Sequence, residues 1–126
     1  MSQPAPQPPA PPPPGSCGVI LSEYVEGSSN NKAIEIYNGT DGNINLAASN
    51  YVLQLYLNGA ATPSRNISLT GTLAVADTYV VVYSQASTSL LAYAEQRATL
   101  NFNGDDALVL RRGGINGVIV DSFGRV

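Results

Sequence analysis

The chain contains no histidine, no tryptophan and a single cysteine among its 126 residues. Nucleophilic catalysis of the Ser-His-Asp or Cys-His kind needs a base that titrates near neutral pH, and histidine is its usual source. A zinc site needs cysteine and histidine ligands at close spacing. The composition therefore excludes the common hydrolase triads and zinc centres, and Cys17 has no other cysteine in the chain to pair with.

Charged residues are also scarce, at 12% of the chain, and the net charge is −3. A protein that grips nucleic acid by its phosphates needs a basic face, whereas the six cations here are scattered apart from Arg111 and Arg112. Neighbouring residues on a strand point to opposite faces, so even that pair does not form one patch. The charges therefore disfavour autonomous nucleic-acid binding.

Apolar residues occur only in short runs, none near the roughly 20 residues of a membrane span. No transmembrane segment is predicted. Eight of the nine prolines lie between Met1 and Ser16, where no aliphatic residue is larger than alanine. Such a segment buries too little apolar surface to offset its ordering entropy. We predict a disordered proline-rich linker over residues 1–17 and one folded domain over residues 18–126.

The apolar pattern of the folded part repeats every two residues, which is typical of strands. Val19–Val25, Ala33–Tyr37, Tyr51–Leu57 and Thr78–Tyr83 are predicted strands, and the last is apolar on both faces, which favours a central position. The remaining predicted strands are separated by Gly- and Asn-rich turns; they are Ile67–Leu69, Leu100–Phe102, Ala107–Arg111 and Val118–Phe123. Eight or nine such strands predict an antiparallel β-sandwich or barrel.

One segment departs from this pattern. Leu90, Leu91, Ala94 and Arg97 approximate a helical stripe, and Ser87 or Thr88 is a suitable N-cap. We expect one or two helical turns between Ser87 and Arg97.

Carboxylates and amides remain as candidates for chemistry or binding. Glu23, Glu26 and Glu35 converge if the first two strands pair, although solvated strand ends or a salt bridge to Lys32 explain them equally. Asp105 and Asp106, with Asn101 and Asn103, offer oxygen ligands of the kind that calcium prefers. Their spacing does not match a twelve-residue calcium loop, and an ordinary turn is the alternative. We predict no catalytic residue and no required cofactor, with calcium as a secondary possibility at Asp105 and Asp106.

Three motifs carry a family resemblance. Ser22–Asn38 resembles the opening of bacterial lamin tail domains, Leu100–Leu110 resembles their later hairpin, and Asp121–Gly124 is similar to their closing strand. The resemblance implies an all-β, immunoglobulin-like antiparallel sandwich with one short helical segment. It also implies an accessory module of the type found in large secreted nucleases of the endonuclease/exonuclease/phosphatase family, placed outside the cell or at its surface. The nuclease's catalytic residues have no counterpart here.

From this resemblance we expect a non-catalytic module whose partners are the other domains of a larger secreted protein, and a protein or cell-surface target. Loops at the end of a sandwich commonly carry recognition on a rigid scaffold. The candidate binding residues lie in two turns: Glu23, Glu26, Asn30, Asn31 and Lys32 in the first, and Asn103, Asp105 and Asp106 in the second. The alternative is a structural module that assembles through an exposed strand edge.

Overall fold

The computed structural model describes residues 18–27, 30–100 and 106–124. The predictions for Cys17, Asn101, Asn103 and Asp105 lie outside these residues. Within them the chain forms ten strands, one short α-helix, α1, and a 3-10 turn at Leu57–Gly59. The strands and the helix are, in chain order, β1 Val19–Glu26, β2 Lys32–Asn38, β3 Ile44–Asn45, β4 Tyr51–Tyr56, β5 Arg65–Ser68, β6 Thr72–Leu73, β7 Thr78–Tyr83, α1 Thr88–Leu91, β8 Gln96–Ala98, β9 Ala107–Arg112 and β10 Val118–Phe123. No helix in this part of the chain is long and apolar enough to cross a membrane.

The strands build two four-stranded sheets that pack face to face. The first sheet has the order β1-β2-β7-β8, the second has the order β10-β9-β4-β5, and β3 pairs with β6 in a small third sheet. All described pairings are antiparallel except that of β7 with β8, which is parallel. The predicted β-sandwich is confirmed, and β7 is central in its sheet as its apolar faces indicated.

The core lies between the inner faces of the two sheets. Strand β2 places Ile34 and Ile36 inward, and β4 places Leu53 and Leu55 against them from the other sheet; all four are fully buried. Each such side chain contributes about 1.5–3 kcal/mol relative to remaining exposed. The apolar side chains at every second residue therefore form a core between two layers of sheet.

The second sheet is also buried on the outer side of β4. Gln54 is only 1% exposed, and its amide oxygen accepts a hydrogen bond from Arg111 Nε at 2.7 Å. Its amide nitrogen donates to Asn66 Oδ1 at 2.8 Å. A buried amide is tolerated because both of its ends are paired, so this glutamine ties together three strands of one sheet.

The two sheets meet along one seam at the edge strands β1 and β10. Both strands carry a β-bulge there, between Leu21 and Glu23 in β1 and between Ile119 and Asp121 in β10. The bulges direct Asp121 across the seam, where its Oδ2 accepts the backbone N–H of Leu21 at 2.8 Å. Bulges and inward-pointing charges are devices that keep sheet edges from pairing with other chains.

The opposite seam is closed by Gln96 of β8. Its side-chain oxygen accepts the backbone N–H of Thr70 at 3.0 Å, and its nitrogen donates to the carbonyl of Ser68 at 2.9 Å. The hydroxyl of Tyr79 lies 2.8 Å from the same Gln96 oxygen and 2.5 Å from the carbonyl of Thr70. One amide side chain thus links the first sheet to the end of β5.

The prediction of one or two helical turns between Ser87 and Arg97 is only partly correct. Ser87 caps α1 by accepting from Leu90 N at 3.4 Å, but the helix ends at Leu91. The stretch Gln96–Ala98 is strand, paired in parallel with β7. Tertiary pairing overrides the local periodicity here because β7 offers an unpaired edge and Gln96 gains partners across the seam.

Two further strand predictions need correction. Strand β4 ends at Tyr56, and Leu57 begins the 3-10 turn, in which Asn58 and Gly59 have φ of 54° and 73°. Leu100 is buried but belongs to no strand, and the described neighbours of β9 are β4 and β10. Leu100 is therefore not part of the strand predicted at Leu100–Phe102, and the other two residues of that prediction lie outside the described part of the chain.

We expect Asp121→Ala to lower the free energy of unfolding by about 1–3 kcal/mol, because it leaves the part-buried Leu21 N–H without its acceptor. Urea denaturation measures this. Asp77→Ala is the matched control, since Asp77 Oδ1 accepts the adjacent Thr78 N–H at 2.8 Å, just as Asp121 Oδ1 accepts the adjacent Ser122 N–H, and it has no bond across a seam among the described residues. Equal losses in the two variants would show that the bond across the seam contributes nothing.

Burial raises the pKa of Tyr79 above its ordinary value, despite the opposing effect of its hydrogen bonds with Thr70. The folded protein therefore holds this proton more tightly than the unfolded chain, and the associated stability is complete below about pH 10 and is lost as pH rises further. We expect unfolding free energies measured from about pH 9 to about pH 11.5 to fall less steeply in Tyr79→Phe than in wild type. Parallel curves would contradict this assignment.

Candidate functional site

The first predicted binding turn is a tight connection between β1 and β2. Glu26 lies opposite Lys32 in register, and the Gly27 N–H donates to the Asn31 carbonyl at 2.8 Å. A Cβ atom at Gly27 would lie 2.9 Å from that carbonyl oxygen, so only glycine allows this approach. The two described ends of this connection, Gly27 and Asn31, are therefore held together by their own backbone.

Asn31 connects this turn to the helix. Its Oδ1 accepts the backbone N–H of Ser87, the N-cap of α1, at 2.8 Å. The Ser87 hydroxyl lies 3.1 Å from that of Ser89. Asn31 thus fixes the position of α1 against the β1–β2 turn, a role that sequence reasoning did not identify.

A shallow depression of about 280 Å³ lies between the turn and α1. We call it the Tyr93 depression after its aromatic lining residue, Tyr93, which is 72% exposed. Its lining residues are uncharged; they are Val25, Gly27, Asn31, Ser87, Ser89, Leu90 and Tyr93. The site therefore combines an exposed ring, an apolar floor and neutral hydrogen-bonding groups.

The three glutamates do not form one cluster. Glu23 lies directly opposite Glu35, and the Ser22 hydroxyl donates to Glu35 Oε1 at 2.9 Å. Glu26 instead accepts the Tyr24 hydroxyl at 2.9 Å. Strand pairing thus brings together Glu23 and Glu35 as the sequence predicted, while Glu26 serves a neighbouring tyrosine.

Tyr24 connects the two predicted turns. Its ring stacks on Phe123 with centroids 4.6 Å apart, and its pKa is raised mainly by burial, with further contributions from Glu26 and Asp106. Glu26 and Asp106 therefore both act on one tyrosine at the same end of the sandwich. That the two turns share an end stays a prediction, because Asn103 and Asp105 of the second turn lie outside the described residues.

Asp106 is buried, with 7% exposure. One of its carboxylate oxygens accepts the backbone N–H of Asn58 at 2.7 Å. The side chain thus stabilises the 3-10 turn 48 residues earlier in the chain. Among residues 18–27, 30–100 and 106–124, no three carboxylate or thiol side chains are placed to hold a metal ion. Calcium binding at Asp105 and Asp106 stays a prediction, because Asp105 is outside those residues.

We expect Asn31→Ala to release α1 from the turn, with a loss of about 1 kcal/mol in unfolding free energy. Hydrogen exchange of the Ser87 amide measures the local effect directly, because this amide loses its acceptor. Asn116→Ala in an exposed turn is the control and leaves both quantities unchanged. Unaltered protection of Ser87 in Asn31→Ala would contradict the proposed link.

Comparison with known proteins agrees with this architecture. The sequence model of the lamin tail domain family matches residues 12–126. No curated protein and no solved structure matches the chain. Since the match covers most of the sequence and the strands form the expected two-sheet sandwich, the chain belongs to the lamin tail domain family of non-catalytic, immunoglobulin-like modules.

Proposed function

We propose that this chain is an accessory module of a larger secreted protein, and that it positions a linked nuclease at its substrate, at a surface or at a protein partner. Two facts support a non-catalytic role: the family match and the absence of histidine from the sequence. The carboxylates of Asp106 and Asp121 accept hydrogen bonds from distant parts of the chain, and that of Glu26 accepts one from Tyr24 on the same strand. The chemistry of the parent protein therefore resides in another domain.

The Tyr93 depression is the contact surface that we propose, and the exposure of Tyr93 is the observation that carries this assignment. Exposed aromatic side chains beside a preformed hollow are typical anchors of recognition. The Asn31–Ser87 hydrogen bond holds the two walls of the depression in place before any ligand arrives. Such preorganisation reduces the entropy that is lost on binding.

A module of this kind acts through effective concentration. Binding at one site makes the encounter of the linked enzyme with its target intramolecular, which raises apparent affinity without any new catalytic contact. A rigid sandwich with recognition residues at one end suits this role, because the scaffold keeps the loops in place.

Assembly through strand edges is less compatible with the structure. Strand β10 is an edge strand with Val118 and Ile119 exposed, which favours pairing with another chain. Its bulge and the hydrogen bond from Leu21 to Asp121 oppose such pairing, because they twist and occupy the same edge. The accessory-module function therefore has the better support.

The test uses the parent protein, identified by reading its gene beyond the codon for Val126. We expect a nuclease domain in the same reading frame. Tyr93→Ser in that protein lowers activity on the immobilised natural target by about tenfold or more, as expected for loss of an aromatic anchor. Its kcat on short free DNA is unchanged, because the active site is untouched.

Val118→Ser is the control, since Val118 is also exposed but lies on β10 away from the depression. Equal activity of wild type and Tyr93→Ser on the immobilised target would contradict the positioning role. Hydrolysis of DNA by the isolated chain with magnesium or calcium, persisting through repurification, would contradict the non-catalytic assignment.

A further inference from the structure

The lining of the Tyr93 depression is uncharged in a protein whose net charge is −3. Ligands that carry phosphate, carboxylate or ammonium groups gain little from a site without a counter-charge. The lining chemistry therefore points to a neutral ligand and argues against nucleic acid, whose binding depends on cations.

The groups that face the depression divide into two kinds. Tyr93, Val25 and Leu90 supply apolar surface, while Asn31, Ser87 and Ser89 supply amide and hydroxyl groups. This combination matches a ligand with an apolar face and a rim of hydroxyl groups. A pyranose ring has both, because its axial C–H bonds form an apolar face and its hydroxyls point outward.

Tyr93 is the feature best suited to such a ring. It follows α1 and is held to the helix by its backbone N–H, which donates to Leu90 O at 3.1 Å. Its phenol hydroxyl has no hydrogen-bond partner among the described residues. The ring is thus 72% exposed at the edge of the depression, where a flat amphipathic ligand gains stacking area and a hydrogen bond.

We propose that the Tyr93 depression binds neutral polysaccharide, with a sugar ring stacked on Tyr93 and its hydroxyls bonded to Ser87 and Ser89. This inference rests on the proposed function, and it specifies the target as a neutral glycan surface. The volume of about 280 Å³ is at the lower end of small-molecule sites, so the depression takes a short stretch of glycan. Affinity for an insoluble polymer then depends on many weak sites and on linkage to the parent protein.

The experiment uses the isolated chain with cellohexaose, xylohexaose and chitohexaose in solution, and with the corresponding insoluble polymers. We expect binding to at least one neutral glycan, measured by calorimetry for the oligosaccharides and by depletion for the polymers. Binding is unchanged between about 50 and about 500 mM salt, because no ion pair contributes. Polygalacturonate, an anionic glycan, binds more weakly than the neutral ones.

Variants separate ring stacking from hydroxyl bonding. Tyr93→Ser weakens binding by about tenfold or more, whereas Tyr93→Phe keeps most of it because the stacking face remains. Ser89→Ala has a smaller effect, of about threefold, from loss of one hydrogen bond. Val118→Ser matches wild type, and circular dichroism confirms that each variant is folded.

The inference is overturned if no neutral glycan binds, or if Tyr93→Ser binds as tightly as wild type. It is also overturned if binding requires low salt, which would indicate a charged ligand at another surface. If glycan binding fails while Tyr93→Ser still impairs the parent nuclease on its immobilised target, the positioning role stands. The occupant of the depression is then a protein.

Discussion

The sandwich depends on polar side chains that bridge the seams between its two sheets. Asp121 accepts the Leu21 N–H on one side, and Gln96 joins Thr70 and Ser68 on the other. Hydrophobic burial between the sheets is non-directional, whereas each of these hydrogen bonds needs a particular offset of one edge strand relative to the other. The bonds therefore add a directional constraint to the close packing of the core.

Local patterning predicted the elements that are governed by burial on one face. The alternation at Ile34 and Ile36 and the doubly apolar run of β7 were sufficient to place those strands. Patterning failed at Gln96–Ala98, which reads as the end of a helix yet pairs with β7. That outcome depends on β7 having one unpaired edge while β2 occupies the other, and the helical spacing of Leu90, Leu91 and Ala94 carries no information about that pairing.

The residues of the candidate site also divide into those that the local sequence identifies and those whose contacts arise only in the folded chain. Sequence reasoning identified Asn31 and Asp106 as polar turn residues, but their partners, Ser87 and Asn58, are 56 and 48 positions away. Such long-range donors are recognised only after folding, because each is a backbone N–H far away in the sequence. Asp121 offered a readable signal, because a carboxylate within the apolar run of the last strand requires a partner when the strand is half-buried. Tyr93 offered less, since one tyrosine after a helical turn resembles ordinary surface.

The distribution of satisfied polar groups limits where a ligand can find a hydrogen-bond partner on this domain. In the described residues, every buried side-chain nitrogen and oxygen has a hydrogen-bond partner, including those of Asn38 and Gln54. An interior of this kind has no donor or acceptor left for a ligand, and burying a new polar group would cost free energy. Polar groups that remain available are at the surface, and beside Tyr93 they adjoin an exposed ring and a preformed hollow. The binding function that we propose therefore belongs to the surface beside Tyr93, where residues can change without altering the core that supports them.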